Sequence, residues 1–323
     1  MSDPILTSLA ESLRAHPSIR SKLAIAKATR MLGLTAASAG HPGDDAAVLP
    51  LDDGSFDLLA GEGFIPAFVA ADPWFAGWCA VMVNLSDIAA MGGRATGIVN
   101  QVWAPDAATA EPVLHGMRDA ALAYGVPLVG GHTNLSAPSL GLAASVLGKA
   151  HRLITSVDAR PGDCLIAAID HRGSHYNFDN FCAALNAPAE RLRGDLALLP
   201  ALAEDGLLRA GKDISQGGIV GTALMLAECS GVAIEIDLDA LDPPSGVDVE
   251  RWLRSFPSFG FLLSVAPENA NAVCSAFARR GIEAAAIGRV KPGSAVSLRR
   301  EGESVTFWDH AQDPYLDLGG VDA

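Results

Sequence analysis

Five short stretches of this 323-residue chain set acidic or polar side chains beside glycine. They are Gly43-Asp44-Asp45, Glu62 between Gly61 and Gly63, Asn84 with Asp87 inside VNLSDIAAMGG, Gly130-Gly131-His132-Thr133, and Asp213-Ile214-Ser215-Gln216-Gly217-Gly218. Carboxylates drawn from separate loops repel one another unless a cation joins them, and Mg²⁺ is held by one or two carboxylates plus substrate phosphates. Glycine beside them lets backbone N–H groups come close to phosphate oxygens. Divalent metal with nucleotide phosphate therefore accounts for the set. Taken singly, each has a plainer reading: Asp44-Asp45 as a turn, Glu62 and His132 as loop residues, Asp87 as a hydrogen-bonding core group, Asp213 as a helix cap.

The elements that must position these groups are legible from periodicity. Asp72-Pro73 opens a helix that a Gly92-Gly93 stop closes. Trp74, Trp78, Val81, Leu85 and Ile88 share one face, and the other side is apolar too, so the helix is expected to be buried. Asp87, about 60° round the helix from Asn84, then has to be paired, hydrogen-bonded or bound to a cation. Residues 1–34 read as helical. The tail of Gly43–Leu51 and Phe56–Ala60 read as strands joined at Asp52-Asp53-Gly54. Ala95–Trp103 and Leu140–Leu147 read as strands, Glu111–Tyr124 as a helix closed by Gly125, and Val126–Val129 as a short buried strand. A polar stretch with a Pro161-Gly162 turn suggests a boundary near residue 155, giving domains 1–155 and 156–323. Beyond it, strands are expected at Cys164–Ile169, Gly231–Leu238, Pro257–Val265, near Ile287 and at Val305–Phe307. Helices are expected at Asp195–Leu208, from DISQGG to about Ser230, and at Glu268–Arg280. Strands and helices alternating in both halves make an α+β or α/β two-domain protein.

Half of the residues are hydrophobic, which is ample for a core, and the formal charge of −14 argues against nucleic acid or an anionic membrane as a partner. The five cysteines form no CxxC pair and sit in apolar contexts, the pattern of reduced thiols in a cytoplasmic protein. No apolar run approaches the ~20 residues of a membrane-spanning helix, and MSDPILTSLAESLRAHP lacks the basic start and apolar core of a signal peptide.

The order GDDAAVL, VNLSDIAAMGG, PLVGGHT, ARPGD, DISQGG and SGVAIEIDL resembles the superfamily of aminoimidazole ribonucleotide synthetase, selenophosphate synthetase, hydrogenase-maturation dehydratase and thiamine-monophosphate kinase (PurM-like). The resemblance runs from about Gly43 to Val290 and is strongest to the thiamine-monophosphate kinase-like, AIR synthase-related branch. It implies an N-terminal domain whose sheet pairs with a second subunit's to form a barrel, hence a homodimer, and a C-terminal α/β domain covering nucleotide and acceptor. It implies ATP and Mg²⁺ as cofactors. Asp45 and Asp87 match metal-binding aspartates, with Glu62 where the family has Asp. Asp213 and Ser215 match the DxSD motif, in which Gln216 replaces the final Asp, and His132 stands where the family has the Asp of GGDT. Asp45, Asp87 and Asp213 are thus the expected catalytic residues. Asp44, Asn84, Gly130, Gly131, His132, Arg152, Ser215 and Gln216 are expected to meet nucleotide.

Two stretches have no counterpart in that kinase. Asp170–Asn180, DHRGSHYNFDN, packs His171, Arg172 and His175 into a short polar run, and FPSFGF (Phe256–Phe261) brings aromatics to the start of a strand. Both are expected to shape the pocket of a small-molecule acceptor, against the alternatives of a solvated loop and core aromatics. The resulting expectation is an enzyme that transfers the γ-phosphoryl group of ATP to a small metabolite or activates it. A genuine thiamine-monophosphate kinase and a non-catalytic nucleotide-binding protein on the same fold are the alternatives.

Overall fold

A computed structural model describes residues 4–35, 37–40, 42–176 and 178–318. Met1–Asp3 of the expected helical start, and Asn177 of the Asp170–Asn180 run, lie outside the described residues. The chain opens with helices α1 (Pro4–Ala15), α2 (Pro17–Arg20) and α3 (Ile25–Met31). Strands β1 (Ala47–Pro50) and β2 (Phe56–Gly63), helices α4 (Pro66–Ala71) and α5 (Pro73–Ala90), β3 (Arg94–Trp103), α6 (Ala107–Tyr124), β4 (Leu128–Asn134) and β5 (Gly141–Ala150) follow. Next come β6 (Cys164–Ile169), β7 (Ser174–Tyr176), β8 (Asn180–Cys182), α7 (Ala189–Leu196), α8 (Leu198–Glu204), β9 (Ala210–Asp213) and α9 (Gly218–Ser230). The chain closes with β10 (Ala233–Asp237), α10 (Val249–Arg254), β11 (Phe256–Pro257), β12 (Gly260–Val265), α11 (Pro267–Ala278), β13 (Glu283–Lys291), β14 (Ala295–Arg300) and β15 (Glu303–Asp309). This is a mixed α+β protein, and none of its described helices is long and apolar enough to cross a membrane.

The chain divides into two compact units. One comprises Asp45–Leu153 with Asn186–Glu204; the other comprises the described residues of Met1–Asp44, Ile154–Leu185 and Asp205–Ala323. The chain crosses between them at 44–45, 153–154, 185–186 and 204–205, so that residues 1–44 group with the C-terminal part and residues 186–204 with Asp45–Leu153. The reason lies in packing. Leu6, Leu13 and Ile19 of the N-terminal helices are buried in the same core as Phe181, Trp252, Phe307 and Tyr315, and α7 packs on α5 and α6.

The Asp45–Leu153 unit is built on an open five-stranded sheet of order β1-β2-β5-β3-β4. Asp53 turns the β1–β2 hairpin, its Oδ1 accepting from the Ser55 hydroxyl and from Ser55 N at 2.9 Å, and these bonds hold its carboxyl pKa down at about 2. Helix α5 packs on β2, β3 and β5 and against α6. The two helices touch through glycine: a Cβ at Gly77 would lie 2.0 Å from the Val113 carbonyl oxygen, and one at Gly116 would lie 1.9 Å from that of Trp74. Asp106 caps α6, and Gly125 ends it at φ 72°. The strand expected to be buried at Val126–Val129 is instead Leu128–Asn134, an edge strand hydrogen-bonded to β3, with every residue exposed.

The second unit carries a seven-stranded sheet, β15-β14-β10-β13-β6-β12-β9, and a small three-stranded one, β11-β8-β7. The single helix expected over Asp195–Leu208 is two, α7 and α8. Pro200 falls in the first turn of α8, where its missing N–H leaves no bond unmade. The sequence reading omitted β14, which follows the Pro292-Gly293 turn, and α10, which Asp248 caps through Arg251 N at 3.1 Å.

Candidate functional site

Helix α5 starts where the Asp72 carboxylate accepts from Phe75 N at 3.0 Å, with Pro73 in the first turn. From Phe75 to Ala90 every residue is buried. Its polar groups turn inward on the helix itself: Asn84 Nδ2 donates to the Ala80 carbonyl at 2.8 Å and Ser86 Oγ to that of Met82 at 3.2 Å. The amide oxygen, Asn84 Oδ1, is fully buried and has no hydrogen-bond partner among the described residues. Leaving a buried acceptor bare costs about 1–3 kcal/mol. Three residues on, the Asp87 carboxylate is 5% exposed. A hard oxygen left open beside a buried carboxylate is a donor set suited to a hard cation or to the water around one.

Register places the neighbouring groups. Glu62 of β2 lies opposite Ala144 of β5, which lies opposite Asn100 of β3, and Asn100 lies opposite Gly131 of β4. Ala144 is buried, as are Leu58 and Ala60, which precede Glu62 at the two-residue spacing of one strand face, so Glu62 and Asn100 belong to the helix-facing row. Glu62 itself is exposed, at the end of that row. Gly131 is required here: a Cβ would fall 2.1 Å from Asn100 Oδ1 and 2.2 Å from its carbonyl oxygen. His132 is exposed on β4 opposite Gln101, and Arg152 is exposed beyond β5. Asp45 is half-buried in the bend before β1. Among the described residues no three His, Cys, Asp or Glu side chains are grouped to hold a metal ion by themselves. Asp45, Glu62 and Asp87 thus do not form such a group, and a Mg²⁺ ion here would draw most of its shell from phosphate oxygens and water.

In the second unit, Asp44 is half-buried and its Oδ1 accepts from Ser156 N at 2.9 Å and Ser156 Oγ at 2.7 Å. Asp213 ends β9, 3% exposed, and its backbone carbonyl accepts from Thr222 Oγ1 of α9 at 3.3 Å. Ser215 is half-buried, with Lys22 Nζ 3.3 Å from its hydroxyl, and Gln216 is exposed. Gly217 caps α9 at φ 103° with no side-chain bond to the first turn. Gly218 must be glycine, since a Cβ would meet Arg254 Cα at 2.4 Å.

Residues 170–176 are held by bonds among themselves and to Arg280, Trp252, Phe181 and Ser255. Arg172 donates through Nε to Asp170 Oδ1 at 2.7 Å, through Nη2 to Oδ2 at 3.1 Å and through Nη1 to the Arg280 carbonyl at 2.8 Å. His171 packs edge-on against Trp252, and His175 against Phe181. Ser255 Oγ gives its proton to the Arg251 carbonyl at 2.7 Å, so His175 Nε2, 2.8 Å away, must be the donor to Ser255. Burial pushes both histidines below their ordinary range, Arg251 adding to the effect at His175. FPSFGF is largely core: Phe261 is fully buried, and Phe259 packs edge-on against Phe261 and Phe277. The sequence reading passed over Asn100, Gln101, Lys22 and Lys212. A lysine inside an otherwise apolar strand, as in AGKD, was the signal available for the last.

Fold and sequence define a PurM-like protein. A model of the AIR synthase-related N-terminal domain matches residues 43–150, and one of the C-terminal domain matches residues 182–301. The chain belongs to this AIR synthase-related family. It is 45% identical to the uncharacterized protein sll0787 of Synechocystis sp. over 86% of this chain and 87% of that one. It is 28% identical to thiamine-monophosphate kinase of Synechococcus elongatus over 80% of this chain and 86% of the kinase. Among solved structures, T. maritima PurL complexed with ATP matches 98% of this chain with a TM-score of 0.75 at 17% identity, and the match spans 52% of PurL's length. AaThiL complexed with AMPPCP and TMP matches 87% of this chain and 94% of its own, with a TM-score of 0.63 at 21% identity.

Proposed function

We propose that this chain is an ATP-using enzyme that transfers the γ-phosphoryl group of Mg-ATP to a small metabolite, or transiently attaches it to activate an oxygen there. The observation that carries the reading is the pairing on one buried helix of the Asp87 carboxylate with the unsatisfied Asn84 Oδ1. Relatives named as kinases support it, as do fold neighbours solved in complex with ATP and AMPPCP. Asp45, Glu62 and Asp87 would hold Mg²⁺, which when bound neutralises phosphate charge. Asn84, Gly130, Gly131, His132 and Arg152 of the same unit would meet nucleotide; within the second unit, Asp44, Asp213, Ser215 and Gln216 are that unit's own candidates for nucleotide contact. Phosphoryl transfer asks a protein chiefly for positioning and charge neutralisation. No protein nucleophile is required, and the loop carrying His171, Arg172 and His175 would shape the acceptor side.

In this reading the active form is a homodimer. A row of apolar or small residues crosses the face of the five-stranded sheet away from α5: Ala47, Leu59, Leu147 and Gly97 stand opposite one another in register, and Val129 lies against Gly97. Leu59, Leu147 and Val129 are 47%, 45% and 64% exposed, which is what a second copy of the sheet would cover. The deciding experiment is calorimetry with ATP and Mg²⁺ followed by a metabolite panel read as ATP consumption. Saturable Mg-dependent ATP binding with turnover on one metabolite class supports the proposal. Absence of nucleotide binding overturns it, and binding without turnover on any acceptor favours a nucleotide-binding protein. Thiamine monophosphate belongs on the panel because of the likeness to that kinase; formation of the diphosphate would identify the narrower activity.

A further inference from the structure

Lys212 lies on β9, the edge strand of the seven-stranded sheet, opposite Leu262 of β12. It is only 5% exposed, between buried Gly211 and Asp213. An ammonium withdrawn from water carries a penalty of several kcal/mol unless acceptors surround it. Lys212 Nζ lies 3.3 Å from the Gly43 carbonyl oxygen and 3.4 Å from Ser156 Oγ. Because Ser156 gives its hydroxyl proton to Asp44 Oδ1 at 2.7 Å, its oxygen is left to accept from the ammonium. Lys212, Ser156 and Asp44 thus form one polarised chain from cation to carboxylate.

The same strand also holds the backbone of that chain. Thr155 N donates to the Arg209 carbonyl at 3.0 Å, and Gly211 N donates to the Thr155 carbonyl at 3.1 Å. Gly43 is confined from the other side: at φ 107° it has no room for a side chain, since a Cβ would meet Leu318 Cδ1 at 2.5 Å and Cys229 Sγ at 3.0 Å. The turn leading into Asp45 is therefore held at Asp44 by Ser156 and at the Gly43 carbonyl by Lys212 Nζ, with Cys229 Sγ 3.5 Å from the same oxygen.

We propose that Lys212 is a positioning residue, whose buried ammonium locks the Gly43–Asp44 turn and thereby fixes the peptide that presents Asp45. It also serves as the internal counter-cation of Asp44, so that this carboxylate draws no divalent ion of its own. The consequence for ligand binding rests on the reading of Asp45 as a Mg-ATP group; the locking of the turn does not.

The test compares wild type with Lys212→Met, Lys212→Arg and the double variant Lys212→Met/Asp44→Asn. The readouts are amide hydrogen exchange at residues 43–46 without ligand and calorimetric affinity for Mg-ATP. Lys212→Met is expected to speed exchange at those amides by about tenfold or more and to weaken Mg-ATP by about tenfold. Lys212→Arg, which keeps the charge, should restore most of the protection. The double variant should be more stable than Lys212→Met alone, since it removes the stranded carboxylate, a coupling that loss of packing alone would not produce. If Lys212→Met does not fold, recovery of folding in the double variant supports the proposal and its absence counts against it. Folded Lys212→Met with exchange and affinity within about twofold of wild type would overturn it. If the wild type binds no Mg-ATP, the functional reading fails while the exchange and rescue measurements still decide the role of Lys212.

Discussion

Ser156 gives both its backbone N–H and its hydroxyl to a single oxygen of Asp44, at 2.9 and 2.7 Å. A carboxylate oxygen with two fixed donors is held in place by the chain itself. Of the adjacent aspartates in GDD, Asp44 therefore has a definite structural task beside the ligand role expected of it, while Asp45 sits in the bend that follows.

Ser156→Ala leaves the N–H in place and removes the hydroxyl, so Asp44 loses one charge-assisted bond and Lys212 loses an acceptor. The expected destabilisation is about 1.5–3 kcal/mol, measured by urea denaturation. A change within about 0.5 kcal/mol, the range of an ordinary surface substitution, would show that the pair contributes little.

The crossing of α5 and α6 leaves no room for a single methyl group. Gly77→Ala or Gly116→Ala would set a Cβ about 2 Å from a carbonyl oxygen of the facing helix, so the helices must separate or shift. The cost should reach or exceed about 3 kcal/mol and should be felt throughout the unit that holds Asp87. Circular dichroism melts of both variants check this; an unaltered melting temperature would mean that the helices give way cheaply.

How much of this was legible follows from what each signal encodes. The α5 boundaries were readable because Asp72-Pro73 and Gly92-Gly93 are local devices, and its burial because no face is polar. Asp87 and Asn84 stood out for the same reason: polar groups on a helix with no solvent side. The edge position of β4 was not readable, since LVGGHTN carries the same alternation whether its outer edge is paired or bare. The allegiance of residues 1–44 was not readable either, because Leu6, Leu13 and Ile19 show that a face is buried without saying against what. Asn100 and Lys212 needed register and tertiary packing to acquire meaning. The partners of the His171–His175 loop, Trp252, Ser255 and the Arg280 carbonyl, were not readable because they lie 80 or more residues away in sequence.

Four histidines of the second unit, His16, His171, His175 and His310, are pushed below the ordinary 6.5, in each case chiefly by burial. A histidine whose folded value is depressed binds fewer protons folded than unfolded once pH drops below about 6.5. Its contribution is therefore fully present above that point and is lost as pH falls through it toward the lowered folded value. The melting temperature should fall between about pH 7.5 and 5.5. His175→Gln, which keeps a donor for Ser255 without a titrating ring, should flatten the slope. A melting temperature insensitive to acid over that range would contradict the assignment.

The exposed row on the five-stranded sheet gives a prediction about assembly. Leu59→Glu and Leu147→Glu each place a carboxylate on a face the chain itself leaves uncovered, so the protomer should fold with normal circular dichroism. If that face joins two copies, sedimentation should move from dimer to monomer, since an unpaired charge in an apolar interface costs several kcal/mol. A wild type that sediments as a monomer, or a variant that still sediments as a dimer, would remove this face from the assembly.

Asp87→Asn tests the centre of the functional reading. The substitution is nearly isosteric and keeps the helix surroundings, but it exchanges a charged oxygen ligand for an amide beside the bare Asn84 Oδ1. If Asp87 serves a cation that accompanies phosphate, affinity for Mg-ATP should fall by at least about tenfold, ~1.4 kcal/mol, while affinity for ATP in chelator changes far less. The fold should survive, because the amide fills the space of the carboxylate. A folded variant with lost Mg-dependence is thus the specific expectation, checked by calorimetry alongside thermal melts. Equal loss with and without Mg²⁺ would mean that Asp87 organises the nucleotide site without touching the metal. Unchanged Mg-ATP binding would remove Asp87 from the site altogether.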